Sequence, residues 1–284
     1  MFVRQAIPLL LVGLAILMAG HSAAASDLPP PSGASRDSAL AWRRYGAALH
    51  RQERYPEALR ALDRALSLSP RDFAARFNRG LTLSELGRFR DAVVELNRAI
   101  AIRPGFAPAW TERGAARVLI GRVDEAHADW RRSLELDPTY VWPHFYRGLN
   151  AIVQGDYAAA AADLDTVAAR DSLAMARIWR WAAHRLAGNA GVPLPTPTPE
   201  WPGPIADHLR GDRSASQLIE AARADRLPLD DRRLAGAWFF IGVKHRVEGR
   251  NAEARTALER ARRARSPAFT EVLAAKSLLR ERPR

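Results

Sequence analysis

The chain has 284 residues, contains no cysteine and carries a formal net charge of +12. This length allows a sizeable core, and the lack of cysteine excludes disulfide bonds and thiol nucleophiles. Only Lys244 and Lys276 among the 43 basic residues are lysines, which leaves 41 arginines. A basic surface favours acidic partners, but no nucleic-acid-binding motif is present, and we expect no nucleic-acid partner.

The first 25 residues have the layout of a secretory signal peptide. Arg4 supplies positive charge, residues 6–19 form an almost unbroken apolar run, and the small residues that precede cleavage end at Ala25. The run is shorter than the roughly 20 residues that span a membrane, although an uncleaved N-terminal anchor is the alternative. We therefore expect a periplasmic or secreted protein without a transmembrane span in its mature form, with residues 26–38 as a disordered linker.

Four segments that begin at Ala39 align at a spacing of 34 residues without gaps. Small residues and prolines recur in phase: Gly46, Gly80, Gly114 and Gly148, then Ala58, Ala92, Ala126 and Ala160, then Pro70, Pro104 and Pro138. The small residues allow two helices of a pair to lie close together, whereas each proline stops the second helix. Because a single pair cannot bury its apolar stripe, we expect the pairs to stack.

Together with Trp42 and Tyr55 of the first segment, these residues form a skeleton over 34 positions that resembles the tetratricopeptide repeat. The resemblance implies an all-α fold, an α-solenoid superhelix of paired antiparallel helices whose inner face is lined by the first helix of each pair. The chain departs from the family skeleton where Arg79, Arg113 and Arg147 replace leucine. We interpret these arginines as structural or solvent-facing, and an acidic ligand along the array is the alternative.

The pattern changes after the fourth repeat. A further helix is predicted over residues 174–187, so that the array covers residues 39–190, four repeats plus this helix. Dense prolines then forbid helix, and residues 191–234 are predicted to form a connector with short helices near residues 205–209 and 215–224. One more repeat returns around Gly242, and a helix at residues 270–280 is expected to cap the array within the segment 235–284.

The layout of this C-terminal half is also similar to that of the periplasmic new-lipoprotein-I type repeat proteins. The similarity covers the tryptophan–proline stretch from Trp201 to Pro204, the short helix, the single repeat and the closing helix. It implies an exported adaptor in cell-envelope maintenance or assembly, which brings an envelope hydrolase or a protease to its partners. The chain departs from that family at His21, where a lipidated cysteine would stand.

The sequence carries no recognisable catalytic or metal-binding pattern. Its seven histidines lie far apart, and it lacks a zinc helix motif, a nucleophile elbow and a phosphate-binding glycine loop. We therefore expect no enzyme activity, no cofactor and no metal. Two alternatives stay open: a hydrolase with a site within residues 188–231 and His184 at its edge, and a structural component whose arginines bind polyanionic cell-wall material.

The predicted working surface is the inner face of the superhelix, where a protein or peptide partner is expected to bind. Its first-helix positions are Arg43, Arg44, Phe77, Asn78, Thr111, Glu112, Trp142, Phe145 and Tyr146. Such a groove is basic at one end and aromatic at the other, and arginine and aromatic residues anchor many interfaces. For Trp142 and Phe145 the alternative is packing against the neighbouring repeat or the C-terminal half.

Overall fold

The computed structural model describes residues 30–33, 37–170, 174–194, 196, 201–223, 230–263 and 270–280. The predicted signal peptide, residues 1–25, lies outside the described residues. In the described ranges the chain forms fourteen α-helices and no strand, and none of these helices combines the length and apolarity that a bilayer crossing requires. The chain divides into two compact units, Met1–Tyr140 and Val141–Arg284.

The described residues of unit 1 form three helix pairs. They are α1 (Ala39–Arg51) and α2 (Tyr55–Leu68), α3 (Phe73–Glu85) and α4 (Phe89–Ile102), and α5 (Ala107–Leu119) and α6 (Val123–Leu136). Each helix packs against its partner, and successive pairs contact through α2 with α3 and α4 with α5. The first helices also touch, α1 with α3 and α3 with α5, which places them side by side along one face of the stack.

Glycine sets the distance between the two helices of a pair. A Cβ atom on Gly80 would lie 2.8 Å from Cγ of Leu96, and one on Gly114 would lie 2.6 Å from Nε1 of Trp130. Real Cβ atoms do not approach other atoms this closely, so alanine at either position would require the Leu96 or Trp130 side chain, or the helix that carries it, to shift. The role predicted for these glycines is confirmed.

The turn inside each pair requires a left-handed backbone. Gly87 and Gly121 adopt φ values of 74° and 81°, a region that glycine enters without a steric penalty. In the first repeat the corresponding residue is Glu53, which has a φ of 60°. The first turn therefore keeps the same geometry with a residue that is strained by it.

The described residues of unit 2 form eight helices. They are α7 (Trp142–Gln154), α8 (Tyr157–Arg170), α9 (Ala174–Leu186), α10 (Gly203–Arg210), α11 (Ala215–Arg223), α12 (Asp230–Val247), α13 (Asn251–Arg262) and α14 (Thr270–Arg280). The fourth pair is α7 with α8, α9 packs against α8, and α12 with α13 forms the last pair. The closing helix α14 packs against α13, α12 and α7.

Helices α10 and α11 lie close to the short helices that the sequence predicts, although α10 begins two residues earlier, at Gly203, and α12 begins at Asp230, inside the predicted connector. Helix α11 begins after Ser214, whose hydroxyl accepts a hydrogen bond from the backbone N–H of Gln217 at 3.2 Å, as expected of an N-cap. The apolar side of α14 is buried through Val272, Leu273 and Leu278. The predicted all-α solenoid with a C-terminal capping helix is confirmed, whereas the unit boundary after Tyr140 has no signal in the sequence.

Candidate partner-binding surface

The aromatic residues predicted at one end of the groove are buried in unit 2. Trp142, Phe145 and Tyr146 are only 4%, 2% and 5% exposed, and the rings of Trp142 and Phe145 meet edge to face at 5.5 Å. Helix α7, which carries them, is covered by α8, α9 and α14 of the same unit. Their assignment to a partner-binding surface is therefore corrected: they pack within the C-terminal half.

Thr111 and Glu112 are also interior residues, each with 0% exposure. The Thr111 hydroxyl lies 2.7 Å from the hydroxyl of Ser133, which itself donates to the Ala107 carbonyl at 2.9 Å. Burial, together with the negative charge of Glu112, raises the pKa of Tyr140. These two positions stabilise the third repeat, and their assignment to the binding surface is corrected as well.

The other four predicted residues are accessible, in the first and third helices of unit 1. Arg44 is exposed, whereas Phe77 and Asn78 are half-buried. The Arg43 side chain keeps 29% of its surface, and its Nη1 lies 3.4 Å from Oδ1 of Asp72, the residue that caps α3. The structure therefore leaves the basic end of the predicted groove open to a partner.

Three phenylalanines continue this surface, of which the repeat pattern predicts only Phe77. The rings of Phe73 and Phe77 lie 6.2 Å apart with an interplanar angle of 11°. Phe106 meets them edge-on at 5.0 and 5.3 Å, and the guanidinium of Arg103 lies over the Phe73 ring at 5.2 Å. All three rings are half-buried. Phe73 begins α3 and Phe106 precedes α5, so both lie outside the first-helix positions from which the inner face is predicted.

We call this surface the arginine–phenylalanine face; it consists of Arg43, Arg44, Phe73, Phe77, Arg103 and Phe106. Leu40, which is 43% exposed, precedes Arg43 and Arg44 by three and four residues and so lies on the same side of α1. Half-exposed rings offer apolar contact area, and guanidinium groups form charge-assisted hydrogen bonds with carboxylates. The face combines both kinds of contact.

The arginines that replace the family leucine are bound to carboxylates of the chain itself. Arg113 donates to both carboxylate oxygens of Asp129, at 2.6 and 3.0 Å, and to Oδ1 of Asn97 at 2.7 Å. Arg79 lies 2.7 Å from Asp63. These contacts agree with the interpretation of the arginines as structural and leave their guanidinium groups occupied.

The fourth repeat, in unit 2, contains a similar arginine–carboxylate pair. Arg147 donates two hydrogen bonds to Asp163, at 2.5 and 2.7 Å, and His144 lies 3.0 Å from the same carboxylate. Burial by itself would raise the pKa of Asp163, but the hydrogen bonds from Arg147 and His144 hold that pKa below its ordinary value. The carboxylate therefore stays ionised and paired.

The histidines considered for catalysis are held by separate partners. Nε2 of His184 lies 3.1 Å from both oxygens of Asp165, whereas Nδ1 of His208 donates to the Arg213 carbonyl at 2.8 Å. Burial lowers the pKa of His208. Among the residues that the structure describes, no group of three or more histidine or acidic side chains is placed to hold a metal ion.

Comparisons with known proteins support the repeat assignment. A family model described as tetratricopeptide repeat matches residues 46–109. The chain is similar to a thermophilic TPR protein of Thermus thermophilus, with 21% identity over 70% of this chain and 98% of that one and a TM-score of 0.52. No curated protein matches it in sequence.

Two further solved structures resemble shorter parts of the chain. The first TPR of Spaghetti (RPAP3), bound to an HSP90 peptide, has 28% identity over 38% of this chain and 86% of that one, with a TM-score of 0.37. MamA from Desulfovibrio magneticus RS-1 has 23% identity over 46% of this chain and 75% of that one, with a TM-score of 0.43. The fold of the chain is a tetratricopeptide-repeat solenoid, as the Thermus structure and the family match show together.

Proposed function

We propose that this chain is a scaffold that binds a segment of a partner protein, and that it acts by binding rather than by catalysis. The observation that carries the proposal is the arginine–phenylalanine face, where three half-buried rings pack together, Arg103 lies over the Phe73 ring, and Arg43 contacts Asp72, the residue before Phe73. Tetratricopeptide-repeat solenoids expose such first-helix surfaces as extended binding faces. The partner segment that fits this face is acidic and carries aromatic or aliphatic side chains.

The charge of the face determines which side chains of the partner it selects. Arg44 forms no ion pair among the described residues, and Arg43 makes only the 3.4 Å contact with Asp72. A partner carboxylate can therefore pair with either guanidinium without displacing a strong internal bond. The phenylalanine rings supply the apolar contact, since desolvated aromatic anchors contribute most of the free energy in many interfaces.

The surface can be tested by photo-crosslinking in intact cells, with a benzophenone amino acid placed at position 44, 77 or 131. Arg131 is exposed on α6 and lies outside the arginine–phenylalanine face, so it serves as the matched control. We expect positions 44 and 77 to capture the same protein, identified by mass spectrometry, and position 131 not to capture it. Equal capture at all three positions would reject this face as the binding surface.

A charge reversal separates the protein-partner proposal from binding to cell-wall polyanions. With the captured partner purified, Arg44→Glu is expected to weaken binding at least tenfold, whereas Arg131→Glu leaves it unchanged. If the chain instead binds isolated cell wall with strong salt dependence and no protein is captured, the structural-component hypothesis replaces this proposal. Hydrolase activity that is lost on mutation of His184 would support the enzyme hypothesis.

We propose further that the scaffold is exported and works in the cell envelope. The support is the signal-peptide layout of residues 1–25 and the similarity of the C-terminal layout to that of new-lipoprotein-I type proteins. An envelope hydrolase or protease as the partner stays a prediction. N-terminal sequencing of the protein recovered from a periplasmic fraction should begin at Ser26. An intact N-terminus in the membrane fraction would favour the uncleaved anchor.

A further inference from the structure

Unit 2 contains a groove that the proposed function does not use. Helices α11 and α13 form its walls, α12 forms its floor, and its volume is about 880 Å³. The floor and walls are largely apolar, with Trp238 and Ile241 from α12, Ile219 from α11 and Ala257 from α13. This volume lies within the range of roughly 300–1,000 Å³ that is typical of binding clefts.

The third repeat shows why this groove is open. Gly242 packs against Leu258 as Gly114 packs against Trp130, so residues of the last repeat correspond to residues 128 positions earlier. In the third repeat, Arg113 and Arg117 both reach Asp129 at 2.6 Å and occupy the space beside α5.

The last repeat replaces all three residues of this ion-pair network. Ile241 corresponds to Arg113, His245 to Arg117 and Ala257 to Asp129. Isoleucine and alanine carry no charge, so α12 and α13 lack a counterpart of the ion pairs that join α5 to α6 through Asp129. The groove therefore lies where, in the third repeat, the side chains of Arg113, Arg117 and Asp129 fill the equivalent space.

The rim of the groove carries two acidic and two basic residues. Glu220 and Arg223 come from α11, and Glu253 and Arg260 come from α13. None of the four forms an ion pair within the described ranges, and the Arg260 guanidinium lies over the Trp238 ring at 4.4 Å. Burial lowers the pKa of His245, which therefore adds no charge to this balance near neutral pH.

We propose that this groove is a second docking site, which takes an amphipathic helix of a partner protein. Its apolar floor suits side chains at i, i+3, i+4 and i+7, the pattern of helices that bind in grooves. The balanced rim suits a helix that carries charges of both signs, whereas an anionic lipid surface or nucleic acid would require an excess of basic residues. Helix α11 itself packs beside α12 in this manner, through Leu218, Ile219 and Ala222.

A phage-displayed library of 14-residue amphipathic peptides tests this proposal on the full chain. The library fixes apolar residues at i, i+3, i+4 and i+7 and varies the remaining positions. We expect enriched peptides that carry both lysine and glutamate, and that bind Ile241→Arg/Ala257→Asp at least tenfold more weakly than the parent chain. This double variant introduces the ion pair that Arg113 and Asp129 form in the third repeat.

A second variant keeps the test decisive if the double variant fails to fold. Thr256 is exposed on the groove rim, so Thr256→Trp obstructs the groove without a change in the core and should also weaken binding tenfold. Arg255→Ala, on the same helix but outside the groove, is the control that should bind normally. No enrichment, or peptides that bind the obstructed variants as well as the parent, would overturn the proposal.

The outcome is independent of the arginine–phenylalanine face, because the two surfaces share no residue. Arg44→Glu should leave binding of the selected peptides unchanged, so failure of either proposal does not affect the other. A different result would overturn the helix proposal and reassign the groove to a lipid. In that case the library yields no enriched peptide, and the parent chain binds palmitate or phosphatidylglycerol vesicles whereas Thr256→Trp does not.

Discussion

Glu53 occupies the left-handed turn that glycine occupies in the later repeats. Its φ of 60° places a side chain in a region that L-residues avoid, and the residue is exposed. No hydrogen bond or ion pair of its side chain within the described part of the chain compensates for this strain. The first turn is thus kept in shape by the packing of α1 against α2 rather than by local preference.

Replacement of Glu53 by glycine is expected to raise the free energy of unfolding by about 1 kcal/mol, because it removes the left-handed strain. The midpoint of urea unfolding, followed by circular dichroism, measures this change. The reciprocal substitution Gly87→Glu, at φ 74° in the second repeat, should lower the midpoint. A Glu53→Gly chain that is no more stable than the parent would contradict the assignment of strain.

His50 is a buried histidine that stays neutral. Burial, aided by the positive charge of Arg51, lowers its pKa from 6.5 to about 4. The Thr82 hydroxyl donates to the Asn78 carbonyl at 2.8 Å, so Nδ1 of His50 is the donor in its 3.0 Å contact with Thr82. Protonation would add a charge beside Tyr55 and Thr82, and neither of these two neighbours carries a carboxylate that could balance it.

This lowered pKa makes the stability depend on pH. The unfolded chain takes up the proton near pH 6.5 and the folded chain only near pH 4, so the free energy of unfolding falls as the pH drops through this window. The loss at its lower end is about 3 kcal/mol, at about 1.4 kcal/mol for each pKa unit. Urea midpoints at pH 7.5 and 5 should differ less for His50→Gln than for the parent. An identical pH dependence in both chains would contradict this account.

Ion pairs of different burial link neighbouring helices, between α5 and α6 within the third pair and between α2 and α3 of successive pairs. Asp129 is 2% exposed and accepts hydrogen bonds from Arg113 and Arg117. The Asp63 side chain, which binds Arg79, keeps 50% of its surface. Arginine–carboxylate pairs therefore occur both in the interior and in contact with solvent.

Asp129→Ala is expected to lower the free energy of unfolding by about 3 kcal/mol, because two arginines lose their partner in a buried site. Asp63→Ala, the matched control, should cost less than about 1 kcal/mol, because water replaces the exposed carboxylate. Chemical unfolding of both variants under identical conditions measures the difference. Similar losses for the two substitutions would show that burial does not determine the strength of these pairs.

For the molecule as a whole, the helices that pack on the first helix of each pair determine which of its residues a partner can contact. In unit 1 the first helices α1 and α3 keep the arginine–phenylalanine face open. In unit 2 the helix α14 packs against α7, α12 and α13, and the inner positions of α7 are buried. The groove at Trp238 is accessible because the last repeat lacks the ion pairs that seal the third.

The sequence by itself determined the helix pairs, because the signals that specify them act over short distances. Gly114 contacts Trp130 in the same repeat, and Gly121 makes the turn between their helices. It also determined that Arg43 and Arg44 lie on the first helix of the array, since a 34-residue period assigns each position to one side of a helix.

Only the tertiary structure decided which of the inner-face residues a partner can reach. Trp142 and Phe145 occupy the same repeat positions as accessible residues of α3, yet they are buried. The helix α14 that packs against α7 comes from the far end of the chain. A repeat pattern records contacts within and between neighbouring pairs, so it carries no information about such a long-range contact. It also does not reveal the groove beside Trp238, which is open because Ile241, His245 and Ala257 form no ion pair between α12 and α13.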